Sequence, residues 1–241
     1  RPLTRLFGVY LPLAAFVVFA LFPFYWMLIS SFKANPELYS LKANRLWIAN
    51  PTLDQFRDLF AKTAIIQWLW NSFFVSFLTA FISMTFGIMA GYALARLKFP
   101  GAQAFGLATF ITYLVPTTLI FIPLARVVQS LGLSDSIWAL VVTYPTFLIP
   151  FCTWMLIAYF KSIPKDMEEC AMIDGCSRIG AMIRIVLPMA IPGVIFSAMF
   201  SFTLSWNEFV YALTFISNTT HKTMSVAVPT ELIRGDAYFW G

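Results

Sequence analysis

Five stretches of this chain each run for more than twenty residues without an acidic or basic side chain, and nothing else in it constrains the fold as tightly. They lie between Arg5 and Lys33, Lys62 and Arg96, Lys98 and Arg126, Asp135 and Lys161, and Arg184 and Glu208. An α-helix needs about 20 apolar residues to cross the hydrocarbon core of a bilayer. Lipid cannot satisfy the open edge of a strand, and the runs lack the polar–apolar alternation of barrel strands. The expected fold is therefore an all-α integral membrane protein with five transmembrane helices.

Composition agrees. Of 241 residues, 60% are hydrophobic and 11% charged, with 26 Phe and a mean hydropathy of +0.78. A soluble domain carries about 25% charged residues. The net charge of +5 is spread along the chain, which suits headgroups and not nucleic acid. Cys170 and Cys176 are six apart, which is not a metal-ligand spacing, and Cys152 lies in an apolar run. A lone histidine, His221, makes a zinc site or a histidine-based catalytic site improbable.

By length and composition the spans should cover about 6–32, 66–95, 102–125, 136–160 and 185–212, with a charged loop at 161–184. Four of the runs contain prolines, among them Pro23, Pro116, Pro123, Pro150, Pro188 and Pro192. These fit ordinary kinks or helices curved around a path equally well. Lys and Arg near the spans divide eight against eight, counting Arg1, Lys42 and Arg45, so the positive-inside rule does not orient the chain.

The 161–184 loop holds the densest charge in the chain. Pro164 followed by Asp166, Glu168 and Glu169 reads as a helix start, because proline and acidic residues suit a first turn. Gly175 reads as its stop. On a helical wheel Ile163, Met167, Cys170 and Ala171 form the apolar side, and Lys165, Glu168 and Glu169 the polar one. On this pattern alone the helix is either a connector on the headgroups or a docking element for another protein.

The spacing adds more. Glu169-Cys170-Ala171, three residues, Gly175, nine residues, then Ile185, Leu187 and Pro188 resembles the EAA loop of ABC importer permeases. The family has alanine where Cys170 stands. Pro51 to Phe56, Asn71-Ser72, Ala95 to Gly101, Leu131-Gly132-Leu133 and Trp206 to Phe209 extend the resemblance to the smaller permease of maltose-type sugar importers. It implies a type I importer fold with six spans, so the sixth is expected beyond Tyr238-Phe239-Trp240-Gly241. It also implies a multi-pass protein of the bacterial inner membrane with a cytoplasmic N-terminus. The implied partners are a second, different permease, two cytoplasmic ATPases and an extracytoplasmic binding protein that delivers a sugar.

The resemblance implies that the coupling loop, with Glu168, Glu169, Cys170, Ala171, Asp174, Gly175, Ile185, Leu187 and Pro188, meets the ATPase. Glu169 should then be the sensitive position, and Glu168→Lys the milder change. The chain has no phosphate-cradling glycine-lysine loop, so it should bind no cofactor, ATP and Mg belonging to the partner ATPase. Asn71, Trp206, Asn207 and Glu208 are candidates for a pathway or gate, since polar groups in a membrane are costly and often functional. The alternatives are a permease of this fold for a glycerol phosphate ester or a peptide, and a secondary transporter. An intramembrane enzyme would need a Ser–His pair, paired aspartates or a metal cluster, none of which the sequence offers.

Overall fold

In the computed structural model, residues 5–39, 46–234, 237 and 238 are described. Arg1, Lys42, Arg45 and the 239–241 end of the expected lead-in lie outside the described residues. The chain forms two compact units, 1–65 with 230–241, and 66–229.

In the first unit a π-helical turn, Leu6–Tyr10, leads into α1, Leu11–Ser31. Leu11 to Leu28 are all exposed, and only Ile29 is buried. An apolar helix with so little protein against it has lipid or a partner helix as its natural surroundings. Two short helices follow, α2 (Asn35–Tyr39) and α3 (Asp54–Lys62). A bridge between Lys33 and Pro51 joins their ends, and the Phe32 and Phe56 rings pack at 5.5 Å. Ile233–Arg234 and Ala237–Tyr238 pair as a minimal antiparallel hairpin.

The second unit is built on α4, Ile65–Arg96, a helix of 32 residues without a proline. Next come α5 (Ala102–Leu114), α6 (Thr117–Ser130), α7 (Ile137–Thr143) and α8 (Pro145–Ser162). The run continues with α9 (Lys165–Ile173), α10 (Arg178–Met189), α11 (Ile191–Trp206), α12 (Val210–Phe215) and α13 (Met224–Ala227). α5 and α11 both pack along α8, and α12 packs on α6. Two apolar cores result. One gathers Val75, Leu140, Tyr144, Leu148, Tyr211 and Val226; the other gathers Met84, Tyr92, Phe151, Leu156, Phe160 and Val186.

Among the described residues three helical stretches, Phe7–Ser31, Ile65–Arg96 and Ile137–Ser162, are each long and apolar enough to cross a membrane. The third and fifth runs are each divided into two helices. The third bends by 93° between α5 and α6, and the fifth by 79° between α10 and α11, so five crossings require each bent pair to act as one. The first bend falls at Val115, which is extended (φ −69°, ψ 122°) because the following Pro116 disfavours helix there. At the second, Pro192 lies in the first turn of α11, where its missing N–H is harmless while it cannot continue the helix before it. The expected 185–212 span is further divided at Asn207, where α11 stops. Pro23, Pro123 and Pro150 stay inside helices.

Small residues at four-residue spacing let the long helices approach. α4 carries Thr79, Ser83, Gly87 and Gly91; α11 carries Gly193, Ser197, Ser201 and Ser205. Thr79 and Ser205 share a hydroxyl hydrogen bond of 2.9 Å, as do Ser201 and the Cys152 thiol. A Cβ on Gly87 would lie 2.5 Å from the Cys152 Cβ, so the α4–α8 approach requires glycine there.

Candidate functional site

The 161–184 loop folds as a short helix held between two turns. Pro164 precedes α9, and Asp166 and Glu168 occupy its first turn. Its end is a double-bonded left-handed cap: Cys176 N–H donates to Ala171 O (3.0 Å) and Gly175 N–H to Met172 O (3.1 Å). Gly175 has φ +91°, a value that glycine adopts without strain. The Ser177 hydroxyl then accepts from Gly180 N–H and starts α10.

The inner face of α9 differs from the one the helical wheel predicts. Glu168 (4% exposed) and Ala171 are buried, whereas Met167 and Cys170 are exposed. The wheel misplaces Glu168 because its carboxylate finds partners inside. Tyr92 donates its hydroxyl to Glu168 Oε1. Arg96 Nε lies 3.5 Å from Oε2, with both side chains almost fully buried. Arg96 Nη2 also donates to the carbonyl of Ile163, at 2.8 Å. Tyr92 and Arg96 are one turn apart on the last part of α4, so one helix face holds both Glu168 of α9 and Ile163, two residues before that helix begins.

Outside this anchor the loop is open. Glu169, Cys170 and Asp174 are exposed, and so is Pro188, while Ile185 and Leu187 are half-buried. Val186 between them is the fully buried residue. Leu187 and Pro188 lie near the end of α10, just before the bend that leads into α11 at Ile191. Met167, Ile173 and Ile179 stand 48%, 83% and 67% exposed around the turn. A cleft of 430 Å³ beside them is lined by Arg96, Lys98, Lys165, Glu168, Glu169 and Arg178.

The four candidates of the spans each have partners of their own. Asn71 is buried and donates to Thr220 O (2.8 Å) and Lys222 O (3.0 Å) while accepting from Gln67. Trp68 Nε1 donates to Thr219 O at 2.7 Å, and Met224 N–H to the Ser72 hydroxyl at 2.7 Å. This cluster therefore ties the 219–224 segment to α4. Glu208 accepts from Tyr144 OH (2.9 Å) and from the N–H groups of Tyr211 and Ala212, which places its charge at the start of α12. Asn207 donates to Thr203 O, and Trp206 stacks on Phe202.

Asp135, in the loop before α7, holds the adjoining 217–221 stretch. It has φ +60°, and its Oδ1 accepts from the N–H groups of Ser217 (2.8 Å) and Asn218 (2.7 Å). Those two bonds, Asn218 first, hold its carboxyl below the usual range. His221 Nδ1 lies 2.7 Å from the Asp135 carbonyl oxygen.

Tyr92, Arg96 and Trp68 are the functional candidates that sequence reasoning did not single out. The signal for the first two was present, as a tyrosine and an arginine four apart at the end of an uncharged helix.

Residues 83–232 match the family of binding-protein-dependent transport system inner membrane components. An inner membrane ABC transporter permease protein of Escherichia coli (strain K12) is 33% identical, the match covering 100% of this chain and 86% of the relative. The sulfoquinovosyl glycerol transport system permease protein of Agrobacterium fabrum is 34% identical over 92% of this chain and 77% of its own. The trehalose transport system permease protein of Mycobacterium tuberculosis is 31% identical over 88% and 76%. The fold matches, at TM-score 0.82 and 19% identity, a chain of a bacterial ABC transporter that imports the acidic polysaccharide alginate, covering 95% of this chain and 81% of that one. A multi-pass helical protein with this loop and these relatives is a transporter subunit: the chain belongs to the inner-membrane permeases of binding-protein-dependent ABC transport systems. A permease of that class works with an ATPase and a binding protein.

Proposed function

We propose that the chain forms part of the translocation path of a sugar importer and that α9 docks on a cytoplasmic ATPase. The observation that carries the docking is a set of exposed apolar side chains around the turn, Met167 and Ile173 on α9 and Ile179 on α10, with α9 itself pinned from beneath by a buried ion pair. Such a patch on a rigid base suits a protein partner, and exposed Glu169 beside it supplies a charge for an interfacial hydrogen bond. On this reading the 161–184 loop and the N-terminus are cytoplasmic. The ATPases bind ATP and Mg, and this chain binds neither. Relatives named for trehalose and for sulfoquinovosyl glycerol support a sugar as cargo. A second, different permease completes the path, with the exposed α1 among the surfaces free to meet it.

The test is a cysteine placed at Glu169 and another in the groove of the ATPase, with Cys152, Cys170 and Cys176 replaced. Crosslinking in the assembled complex supports docking; its absence across a scan of groove positions makes the loop a connector. The cargo is read by uptake into proteoliposomes from a panel of neutral disaccharides, acidic sugars, peptides and glycerol phosphate esters. Uptake confined to peptides or glycerol phosphate esters would overturn the sugar reading. Purification from native membranes tests the partner, and a homodimer of this chain with ATPases alone would count against a second permease.

A further inference from the structure

α4 is held by side-chain bonds at both of its ends. Near its C-terminal end Tyr92 and Arg96 grip Glu168 of α9, and Arg96 also holds the Ile163 carbonyl. Near its N-terminal end Trp68, Asn71 and Ser72 hold the backbone of Thr219, Thr220, Lys222 and Met224. The rise from Asn71 to Tyr92 is about 32 Å at 1.5 Å per residue. That is close to the hydrocarbon thickness of about 30 Å, so the two grips fall on opposite faces of the membrane.

Among the described residues α4 is the one candidate span with neither a proline nor a bend. Its 32 residues contain no proline and no break, whereas α5–α6 and α10–α11 bend by 93° and 79° and α8 contains Pro150. Sharp kinks occur mostly at proline, so the bent routes absorb a displacement that an unbroken helix passes on. Both grips use buried side chains, Trp68, Asn71 and Ser72 at one end and Tyr92, Arg96 and Glu168 at the other, so pulling a grip apart strips a buried polar group of its partner and costs more than moving with α4.

We infer that α4 is a two-ended lever. It carries displacement of the ATPase-facing helix α9 directly to the 219–224 segment on the opposite face, and Tyr92, Arg96, Trp68 and Asn71 are its positioning residues. The inference rests on the docking of α9 proposed above. It assigns the transmission to side-chain grips between elements far apart in sequence, in addition to the covalent path through α8 and α10.

The test uses the assembled importer in proteoliposomes with Tyr92→Phe, Asn71→Ala and the double variant. Tyr92→Phe removes one hydroxyl and keeps the ring against Phe160. The readout is the ratio of ATP hydrolysis with and without loaded binding protein, normalised to the yield of the Glu169-position crosslink. Each single variant should lower that ratio about five-fold or more, the lower end of ordinary coupling between sites. The double variant should be no worse than the weaker single, because one lever is broken only once. Full stimulation in Tyr92→Phe, or single effects that multiply in the double variant, would overturn the lever. A parent crosslink that never forms would instead count against docking. The lever then has its own readout in the purified full chain, as several-fold faster hydrogen exchange at residues 217–225 in Tyr92→Phe. Unchanged exchange there overturns it independently.

Discussion

Tyr92 donates its hydroxyl to the carboxylate of Glu168, a residue 76 positions further along the chain, and both are buried. The bond closes a small network in which Arg96 supplies the counter-charge. Removing one member of a buried pair leaves an uncompensated charge, which typically costs about 3–5 kcal/mol. Glu168→Ala should therefore lower the thermal unfolding temperature of the detergent-solubilised protein. A double Glu168→Leu, Arg96→Met variant should recover part of the loss, since apolar replacement of a buried pair is often neutral. A Glu168→Ala melt that matches the parent would mean the pair contributes nothing.

The two neighbouring glutamates should separate stability from coupling. Glu168→Lys places a second cation beside buried Arg96, and the protein should fail to accumulate in the membrane. Glu169 is exposed, so Glu169→Lys should melt like the parent. If Glu169 meets the ATPase, the reversed charge should cost about 2–5 kcal/mol of interface and abolish most transport. For stability Glu168→Lys should be the more damaging of the two, because Glu168 is buried and Glu169 is exposed. Equal accumulation of the two lysine variants would contradict this.

The Asp135 knot should loosen in acid. Hydrogen bonds from Asn218 and Ser217 hold its carboxyl below the ordinary aspartate value of about 3.9. A group lowered on folding stabilises fully above its unfolded pKa, and that contribution disappears as pH falls through the lower folded one. Hydrogen exchange at residues 217–221, corrected for intrinsic rates, should thus be constant near neutrality and accelerate below about pH 4. Asp135→Asn tolerates the positive φ and should remove this acid step. An acid step that survives in Asp135→Asn would locate the titrating group elsewhere.

The α4–α8 approach predicts a rescue with an unusual choice of residue. Gly87→Ala would set a Cβ 2.5 Å from the Cys152 Cβ, and overpacking of this kind costs about 1–3 kcal/mol. Cys152→Ala keeps the offending Cβ and should not restore the melt. Cys152→Gly removes it and should restore part, less the roughly 1 kcal/mol that glycine costs a helix. Equal rescue by both would show that the sulfur, and not the backbone approach, sets the fit.

The sequence alone determined what depends on local chemistry. Uncharged runs too apolar for water specify a membrane protein whatever the packing, and Gly175 could be read as a cap because its left-handed turn is set within a few residues. The spacing from Glu169 to Pro188 marked the loop for the same reason, as a pattern within one short segment. Only the tertiary structure decided which way the loop faces. Glu168 looks solvated on a wheel, and it is buried because Tyr92 and Arg96 arrive from another helix to satisfy it. Asn71 stood out in the sequence only as a polar group within a span, and the carbonyls that its amide meets lie about 150 residues away. Burying a polar group is unfavourable until a partner is present, and no local pattern records a partner so distant along the chain.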